Sequence, residues 1–335
     1  MTKVSLADPE SSRTRDEAEA QPVDDFAPDV RTGLAGRPKQ LPPRYLYDDL
    51  GSALFDAICR LPWYRVTRAE LGLLARHGAE IAASLTPPVT LVELGSGSGE
   101  KLALLLAAMG GDVRQAHVHL VDISRAALDQ ASEALRRLGP ASVHRHQATY
   151  RAGLDLLAGT ARRDGDMRLV LFLGSNIGNF DPPDAADRLA RIRRMLRPGD
   201  ALLVGADLVK PEPDLLAAYD DPLGVTAAFN RNLLVRINRE LGGTFDLAAF
   251  AHEARWNADA SRVDMHLVSG RRQSVSIPGA GCRVEFAEGE TIWTESSYKY
   301  DQDAIIAVVN DAGFRVRDQW IDPDARFALT MFQAV

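Results

Sequence analysis

The sequence predicts an α/β fold built on a parallel, doubly wound sheet, with a second α+β lobe inserted into it. Short apolar runs of strand length alternate with helical patterns from residue 66 to 207, which is typical of βαβ units with right-handed crossovers. One such run, over residues 89–94, leads through closely spaced glycines into an apolar helical stretch. The alternation stops over residues 208–300 and resumes over 301–335, so the middle segment is predicted to be the insertion.

The composition is that of a globular chain with a sizeable core. Its 335 residues are 46% hydrophobic, and 46 acidic against 39 basic residues give a formal net charge of −7 without a basic run. Nucleic-acid binding is therefore not expected, and no apolar stretch approaches the ~20 residues that cross a membrane. Two cysteines without metal-ligand spacing, and an N-terminus without a secretory pattern, predict a cytoplasmic protein.

Three different patterns precede the first strand. Residues 1–40 are rich in Ser, Asp, Glu, Pro and Arg and are predicted to form a disordered tail. Residues 41–65 carry aromatic side chains at helical spacing and are predicted to pack with the inserted lobe. Thr67 followed by Glu70 has the spacing of a capping box, which predicts a helix that begins there and continues to about Leu85.

The sheet domain is predicted to comprise residues 66–207 and 301–335. Apolar runs bounded by Gly, Pro or Asp indicate its strands, which fall at 89–94, 118–122, 141–147, 167–173, 201–207, 315–320 and 327–332. Helical patterns in the same segments start after Gly99, run from about 124 to 138, and cover 182–196 and 303–311. Within the inserted lobe, 208–300, helical stretches occur around Leu215 and over 230–241, and strand-like alternation occurs over 262–268.

The glycine turn is the first candidate for a ligand site. Gly95, Gly97 and Gly99 follow a buried strand, and Asp122 closes the next strand, where a carboxylate can bind a ribose. The nicotinamide-binding fingerprint places its third glycine three positions after the second, which is not the spacing found here. The run 93–99 instead resembles the S-adenosylmethionine-binding turn of Rossmann-like methyltransferases. A nicotinamide-dependent oxidoreductase and a non-catalytic nucleotide-binding module remain as alternatives.

A wider resemblance covers the chain from about Tyr45 to its last residue. The segments that carry it are 47–55, 64–70, 93–101, 172–179, 219–232 and 294–299. They are similar to the histidine-specific Nα-methyltransferases of ergothioneine biosynthesis. The resemblance implies an enzyme that transfers three methyl groups from S-adenosylmethionine to the α-amine of L-histidine and so forms hercynine. The same chemistry on another amino acid, such as tryptophan or tyrosine, is the nearest alternative.

The resemblance also assigns the cofactor site. It implies that S-adenosylmethionine is bound by Gly95, Gly97, Lys101, Asp122, Thr149 and Tyr150, with Asp122 on the ribose. One departure concerns the adenine, because family members often carry Gly-Asp-aromatic where this chain has Ala148-Thr149-Tyr150. We expect the adenine contact to come from the backbone around Thr149. Without the resemblance, Lys101 reads as an ordinary charge on a helix surface.

The substrate site follows in the same way. Asn179 and Tyr219 are implied to hold the substrate carboxylate, the backbone around Gly174 to face the amine, and Glu295 and Ser297 to bind the imidazole. Taken alone, Asn179 could instead cap the next helix, and Glu295 could be a solvated acid on a strand. The remaining implied lining residues are Tyr47, Phe55, Tyr64, Thr226 and Met265.

The chemistry requires little from acid–base groups. Methyl transfer is a displacement at a sulfonium methyl by a neutral amine, so positioning supplies the rate, and Asn179, Tyr47 and Gly174 are predicted to provide it. Aromatic faces can stabilise the methylated cation. No metal is expected, since the paired histidines at 117/119 and 144/146 lack a third ligand. The protein is expected to act as a monomer on a small-molecule substrate.

Overall fold

The computed structural model describes residues 25–160, 162 and 165–335. The helices of this part of the chain are α1 (Phe26–Ala35), α2 (Asp49–Ile58), α3 (Val66–Ala83), α4 (Glu100–Ala108), α5 (Arg125–Arg136), α6 (Tyr150–Ala158), α7 (Pro182–Met195), α8 (Glu212–Tyr219), α9 (Val225–Leu241) and α10 (Gln302–Asp311). The strands are β1 (Lys39–Gln40), β2 (Val89–Leu94), β3 (Ala116–Asp122), β4 (Ser142–Gln147), β5 (Met167–Phe172), β6 (Ala201–Asp207), β7 (Phe250–Asn257), β8 (Arg262–Ser269), β9 (Gln273–Ile277), β10 (Cys282–Phe286), β11 (Thr291–Tyr298), β12 (Phe314–Asp322) and β13 (Phe327–Ala334).

A seven-stranded sheet forms the first lobe, in the order β12-β13-β6-β5-β2-β3-β4. Strands β2 to β6 pair in parallel, and β13 lies antiparallel between β6 and β12. All six residues of β2 are buried because helices cover both faces of the sheet. Leu91 and Leu203 belong to one apolar layer, and Val92 and Val204 to the other. This doubly wound architecture is the one that the alternating pattern predicts.

The segment between β6 and α10 folds as a second lobe around another sheet, in the order β1-β11-β8-β7. Strands β9 and β10 form a separate antiparallel pair. A parallel bridge between Leu208 and Tyr300 joins the start and the end of this segment directly beyond β6. The second lobe therefore stands at the carboxyl ends of the parallel strands, where open α/β sheets bind their ligands.

The N-terminal residues belong to the second lobe, which corrects the predicted tail. Residues 1–24 lie outside the described residues, but α1 is a helix whose Phe26, Val30 and Leu34 are buried. Strand β1 pairs in parallel with β11, with Lys39 opposite Ile292. The prediction of a disordered tail is therefore wrong over residues 25–40, because apolar side chains spaced four apart bury one face of α1.

The predicted capping box is also wrong. Helix α3 begins at Val66 after Arg65, without a side-chain hydrogen bond at its N-cap. Glu70 does not reach back to Thr67; its side chain is fully buried and turns towards the sheet. Among the described residues, no helix combines the length and the apolar character needed to cross a bilayer.

Candidate active site

The glycine turn lies at the carboxyl ends of β2 and β3. Gly95, with φ +77°, donates its N–H to the Val121 carbonyl at 2.8 Å. Gly97, with φ +48°, donates to Asp122 Oδ2 at 3.2 Å, and Asp122 Oδ1 accepts from the Ser124 N–H at 2.9 Å. Positive φ favours glycine at both positions. The carboxylate thus ties the turn to the end of β3, while the space above Gly97 stays open.

A buried carboxylate joins the predicted cofactor and substrate sides of the site. Both oxygens of Glu70 accept from the Gly174 N–H, at 2.9 and 2.8 Å, and Oε2 lies 2.7 Å from Lys101 Nζ. Burial acts to lower the pKa of Lys101, but the charge of Glu70 outweighs it, so that pKa is raised. Gly174 has φ +76° and follows β5. Two predicted site residues, Lys101 and Gly174, are therefore held together by Glu70, to which the sequence assigned another role.

Thr149 and Tyr150 lie just beyond the carboxyl end of β4, at the start of α6. Thr149 is the N-cap of α6, and its hydroxyl accepts from the Ala152 N–H at 3.3 Å. The Tyr150 ring packs edge-on against Phe172 at 5.8 Å, and its hydroxyl closely approaches the position of a Cβ on Gly95. Tyr150 therefore borders the glycine turn, whereas the adenine contact expected around Thr149 stays a prediction.

Asn179 ends a short 3-10 turn after β5. The chain reaches it through Ser175, a non-glycine residue at φ +56° whose hydroxyl accepts from the Asp207 N–H at 3.0 Å. The N-cap position of α7 is occupied by Asp181. The alternative of Asn179 as a helix cap is therefore wrong, and its half-buried amide lies beyond the carboxyl end of β5.

Aromatic side chains from the N-terminal segment and the second lobe form one continuous wall. Ring centroids lie 5.5 Å apart between Tyr47 and Phe55, 6.3 Å between Phe55 and Tyr64, and 6.1 Å between Tyr64 and Tyr219. Phe229 of α9 stands behind them, 5.4 Å from Tyr47 and 6.0 Å from Phe55. The structure brings these predicted residues together, and Phe229 is an addition that sequence reasoning missed.

Two hydroxyls and an ammonium group meet next to this wall. Tyr219 Oη and Ser297 Oγ lie 2.9 Å apart. Lys299 Nζ donates to Tyr219 Oη at 2.7 Å and to Ser297 Oγ at 2.9 Å, and it lies 3.0 Å from Asp207 Oδ2. The Lys299 side chain is 0% exposed. Its place in the 294–299 motif was the signal that could have identified it.

Glu295 and Met265 face each other across the β11–β8 pairing. Glu295 is 9% exposed, and burial raises the pKa of its carboxyl to about 7, with the charge of Lys299 lowering it in part. Burial, and then the charge of Glu295, raise the pKa of Tyr47. Thr226 and Met265 are both buried. The interpretation of Glu295 as a solvated acid is therefore wrong.

Comparison with known proteins identifies the chain. The profile of a family described as "Histidine-specific methyltransferase, SAM-dependent" matches residues 26–334. The chain belongs to this family. A histidine-specific methyltransferase of this kind uses S-adenosylmethionine, so the oxidoreductase and the non-catalytic binding module are excluded.

Three relatives illustrate what this methyltransferase is similar to. It is 42% identical over 304 residues to a histidine N-alpha-methyltransferase of Mycolicibacterium smegmatis, covering 90% of this chain and 93% of the relative. It is 30% identical to ergothioneine biosynthesis protein 1 of Neurospora crassa, covering 84% of this chain and 32% of the relative. It is 26% identical to an L-tryptophan methyltransferase of Psilocybe serbica, covering 88% of each chain.

The methyltransferase has a polar site that fits S-adenosylmethionine around the glycine turn. Ser96 Oγ and Glu93 Oε2 are buried there without a hydrogen-bond partner among the described residues. Burial raises the pKa of Glu93 to about 8, with Lys101 lowering it and nearby carboxylates raising it, so at pH 7 this acid is mostly neutral and can donate a hydrogen bond. Unpaired polar atoms below an open turn suit a ligand that carries hydroxyl and amino acid groups.

The paired histidines of the methyltransferase form a cluster on β3 and β4. His119 Nδ1 lies 2.9 Å from His146 Nε2, and the His119 ring stacks on His144 at 4.8 Å. Burial, and then the neighbouring imidazoles, lower the pKa of His119 to about 3. In the part of the chain that the structure describes, no group of three or more side chains has the arrangement of a metal site.

Proposed function

We propose that this methyltransferase transfers three methyl groups from S-adenosylmethionine to the α-amine of L-histidine, giving hercynine for ergothioneine biosynthesis. The observation that carries the proposal is the pairing of Glu295 with Ser297 on one face of β11. Residues two apart on a strand share a face, and both side chains are buried. Two polar groups with this spacing suit a ring that has two nitrogens.

The ring chemistry favours histidine over the nearest alternatives. An imidazole presents a nitrogen to Glu295 and another to Ser297, whereas an indole has one N–H and a phenol has none. An indole or a phenol has a single polar ring atom for these two buried groups, and a buried polar group left without a partner costs about 1–3 kcal/mol. Met265, opposite Glu295, would close the apolar side of the ring.

The amino acid end is assigned to residues of both lobes. Tyr219 and Asn179 would bind the carboxylate, which directs the α-amine towards the backbone at Gly174 and the glycine turn. When bound, S-adenosylmethionine supplies an electrophilic methyl group on a sulfonium, and Asp122 and Lys101 are the residues proposed to hold its ribose and carboxylate. Positioning of this kind can contribute on the order of 7–11 kcal/mol to lowering a barrier.

The aromatic wall suits the later methyl transfers. Each transfer to the neutral amine leaves a singly charged ammonium group, the first two products lose a proton before the next transfer, and the third keeps its positive charge permanently. Tyr47, Phe55 and Tyr64 lie as consecutive neighbours. A cation over a desolvated aromatic face gains roughly 0.5–2 kcal/mol. The wall therefore supports a reaction that continues to the trimethylated product.

We also propose that the enzyme acts as a cytoplasmic monomer. Every residue assigned to the site comes from one chain, so a partner copy is not needed to complete it. Cys59 and Cys282 are unpaired, as expected in a reducing compartment. Sedimentation at catalytic concentrations tests the monomer, and a dimer would contradict it.

A mass-resolved screen tests the proposed function. The purified protein is incubated with S-adenosylmethionine and a mixture of the common amino acids, and every mass is followed over time. We expect histidine alone to gain three methyl groups. Tryptophan or tyrosine gaining mass while histidine stays unchanged would show that the substrate assignment is wrong.

A further inference from the structure

We propose that Lys299 is a positioning residue that fixes the direction of the hydrogen bonds in the substrate site. With Tyr219 bound to the substrate carboxylate, the donors of Lys299 leave Tyr219 as the donor to that carboxylate and Ser297 as an acceptor from the substrate ring. The inference rests on the proposed function, since it concerns how histidine is held. It adds that the substrate ring and Glu295 must together hold a defined number of protons.

The ammonium group of Lys299 has no free donor. Its three N–H groups match three acceptors, at 2.7 Å (Tyr219 Oη), 2.9 Å (Ser297 Oγ) and 3.0 Å (Asp207 Oδ2). The side chain is fully buried, so water does not compete for these bonds. Because an ammonium group accepts no hydrogen bond, neither hydroxyl can direct its proton to Lys299.

Lys299 also holds the two hydroxyl oxygens together. Tyr219 Oη and Ser297 Oγ lie 2.9 Å apart, so one of their two protons lies between them. If Ser297 donates to Tyr219, the Tyr219 proton is free for a carboxylate and Ser297 keeps one lone pair. If Tyr219 donates to Ser297, it has no proton for the carboxylate. The assignment of Tyr219 to the carboxylate therefore requires Ser297 to accept from the ring.

This direction of the hydrogen bonds determines how many protons the substrate ring and Glu295 hold together. Ser297 can accept only from a ring N–H, so the first ring nitrogen carries a proton. The second ring nitrogen then faces Glu295 in one of two ways. Either it is also protonated and donates to an ionised carboxylate, or it is unprotonated and accepts from a protonated carboxyl group. Both states hold one proton more than a neutral imidazole beside a carboxylate. Since Glu295 has a pKa of about 7, it is mostly ionised at pH 8.5. Binding of a neutral imidazole at that pH must therefore take up a proton.

The neighbouring Lys210 provides a matched control. Its Nζ lies 2.6 Å from the other oxygen of Asp207 and 2.7 Å from the Ala325 carbonyl. It therefore shares the carboxylate with Lys299 and contacts neither Tyr219 nor Ser297. Lys210→Met removes the same charge from Asp207 without releasing the hydroxyl pair.

The test uses 3-(imidazol-4-yl)propionate, which has the ring and the carboxylate of histidine and lacks the amine. Calorimetry at pH 8.5, in buffers of different ionisation enthalpy, counts the protons taken up on binding. The wild-type protein and Lys210→Met are expected to take up close to one proton. Lys299→Met is expected to take up much less and to bind at least about tenfold more weakly, because its hydroxyls can reorient, while its affinity for S-adenosylmethionine is unchanged.

Other outcomes of this experiment would contradict the proposed role of Lys299 or the proposed function. A Lys299→Met variant with wild-type proton uptake, or one indistinguishable from Lys210→Met, would overturn the role of Lys299 alone. A wild-type protein that neither methylates histidine nor binds the probe would overturn the proposed function and this inference with it. If Lys299→Met does not fold, as judged by S-adenosylmethionine binding, Lys299→Gln, whose amide oxygen can accept a hydroxyl proton as an ammonium group cannot, is held to the same expectation.

Discussion

Glu295 shows how a single residue acquires its role from its surroundings. On the sequence it is one acid among alternating polar and apolar residues, and only the resemblance distinguishes it. In the fold, β11 and β8 enclose it opposite Met265, and burial brings its pKa to about 7. A carboxyl group near neutrality can bind an imidazole in either protonation state. Burial of this kind depends on long-range pairing, so local sequence cannot reveal it.

Replacement of Glu295 tests this role. Glu295→Ala is expected to lower kcat/KM for histidine about tenfold to a hundredfold, because a hydrogen bond to a charged group contributes roughly 1.5–3 kcal/mol. The affinity for S-adenosylmethionine, measured by calorimetry, should stay unchanged. Glu285→Ala, at an exposed position of β10, is the matched control and should retain wild-type kinetics. Equal losses of histidine and cofactor binding would instead assign Glu295 a structural role.

At the scale of elements, the β2–turn–α4 unit could be predicted closely. A mostly apolar strand, spaced glycines and a mostly apolar helix are all local signals, and the structure places them as expected. Helix α1 could not, since its few apolar residues are diluted by polar neighbours and are buried only against distant elements. Strands β9 and β10 have alternating buried and exposed residues in a short hairpin, too brief to identify reliably from sequence.

Glu70 connects elements rather than capping one. It lies on α3, contacts Lys101 on α4 and accepts from the Gly174 N–H beyond β5. Because the carboxylate is buried, it requires these partners, and they in turn are fixed by it. The spacing from Thr67 satisfied the capping pattern by coincidence, which a local reading cannot distinguish from a true cap.

Removal of the Glu70 charge should therefore destabilise the fold. Glu70→Gln is expected to lower the free energy of unfolding by on the order of 2 kcal/mol, below the loss for a fully buried pair, because Lys101 is 23% exposed. Denaturant unfolding measures it, and Glu133→Gln, at an exposed ion pair of α5, is the control. The double variant Glu70→Gln/Lys101→Met should recover part of the loss. A Glu70→Gln variant as stable as the control would contradict this account.

At the scale of the molecule, the candidate site exists because the two lobes meet at the carboxyl ends of the parallel strands. Gly174 and Asn179 come from the first lobe, while Glu295 and Ser297 come from the second, and the aromatic wall begins in the N-terminal segment that packs on it. Periodicity predicted the doubly wound sheet. It could not predict that side chains more than 100 positions apart would converge, so their roles depended on the resemblance.

The central claim is that the second lobe holds the imidazole while the first presents the α-amine for methylation. The most direct measurement is the NMR spectrum of the product made from histidine and S-adenosylmethionine labelled with carbon-13 in its methyl group. We expect a single labelled resonance from three equivalent methyl groups on the α-nitrogen, with both ring nitrogens unmodified. Label on a ring nitrogen would contradict the claim, because the ring would then be the group presented to the methyl donor.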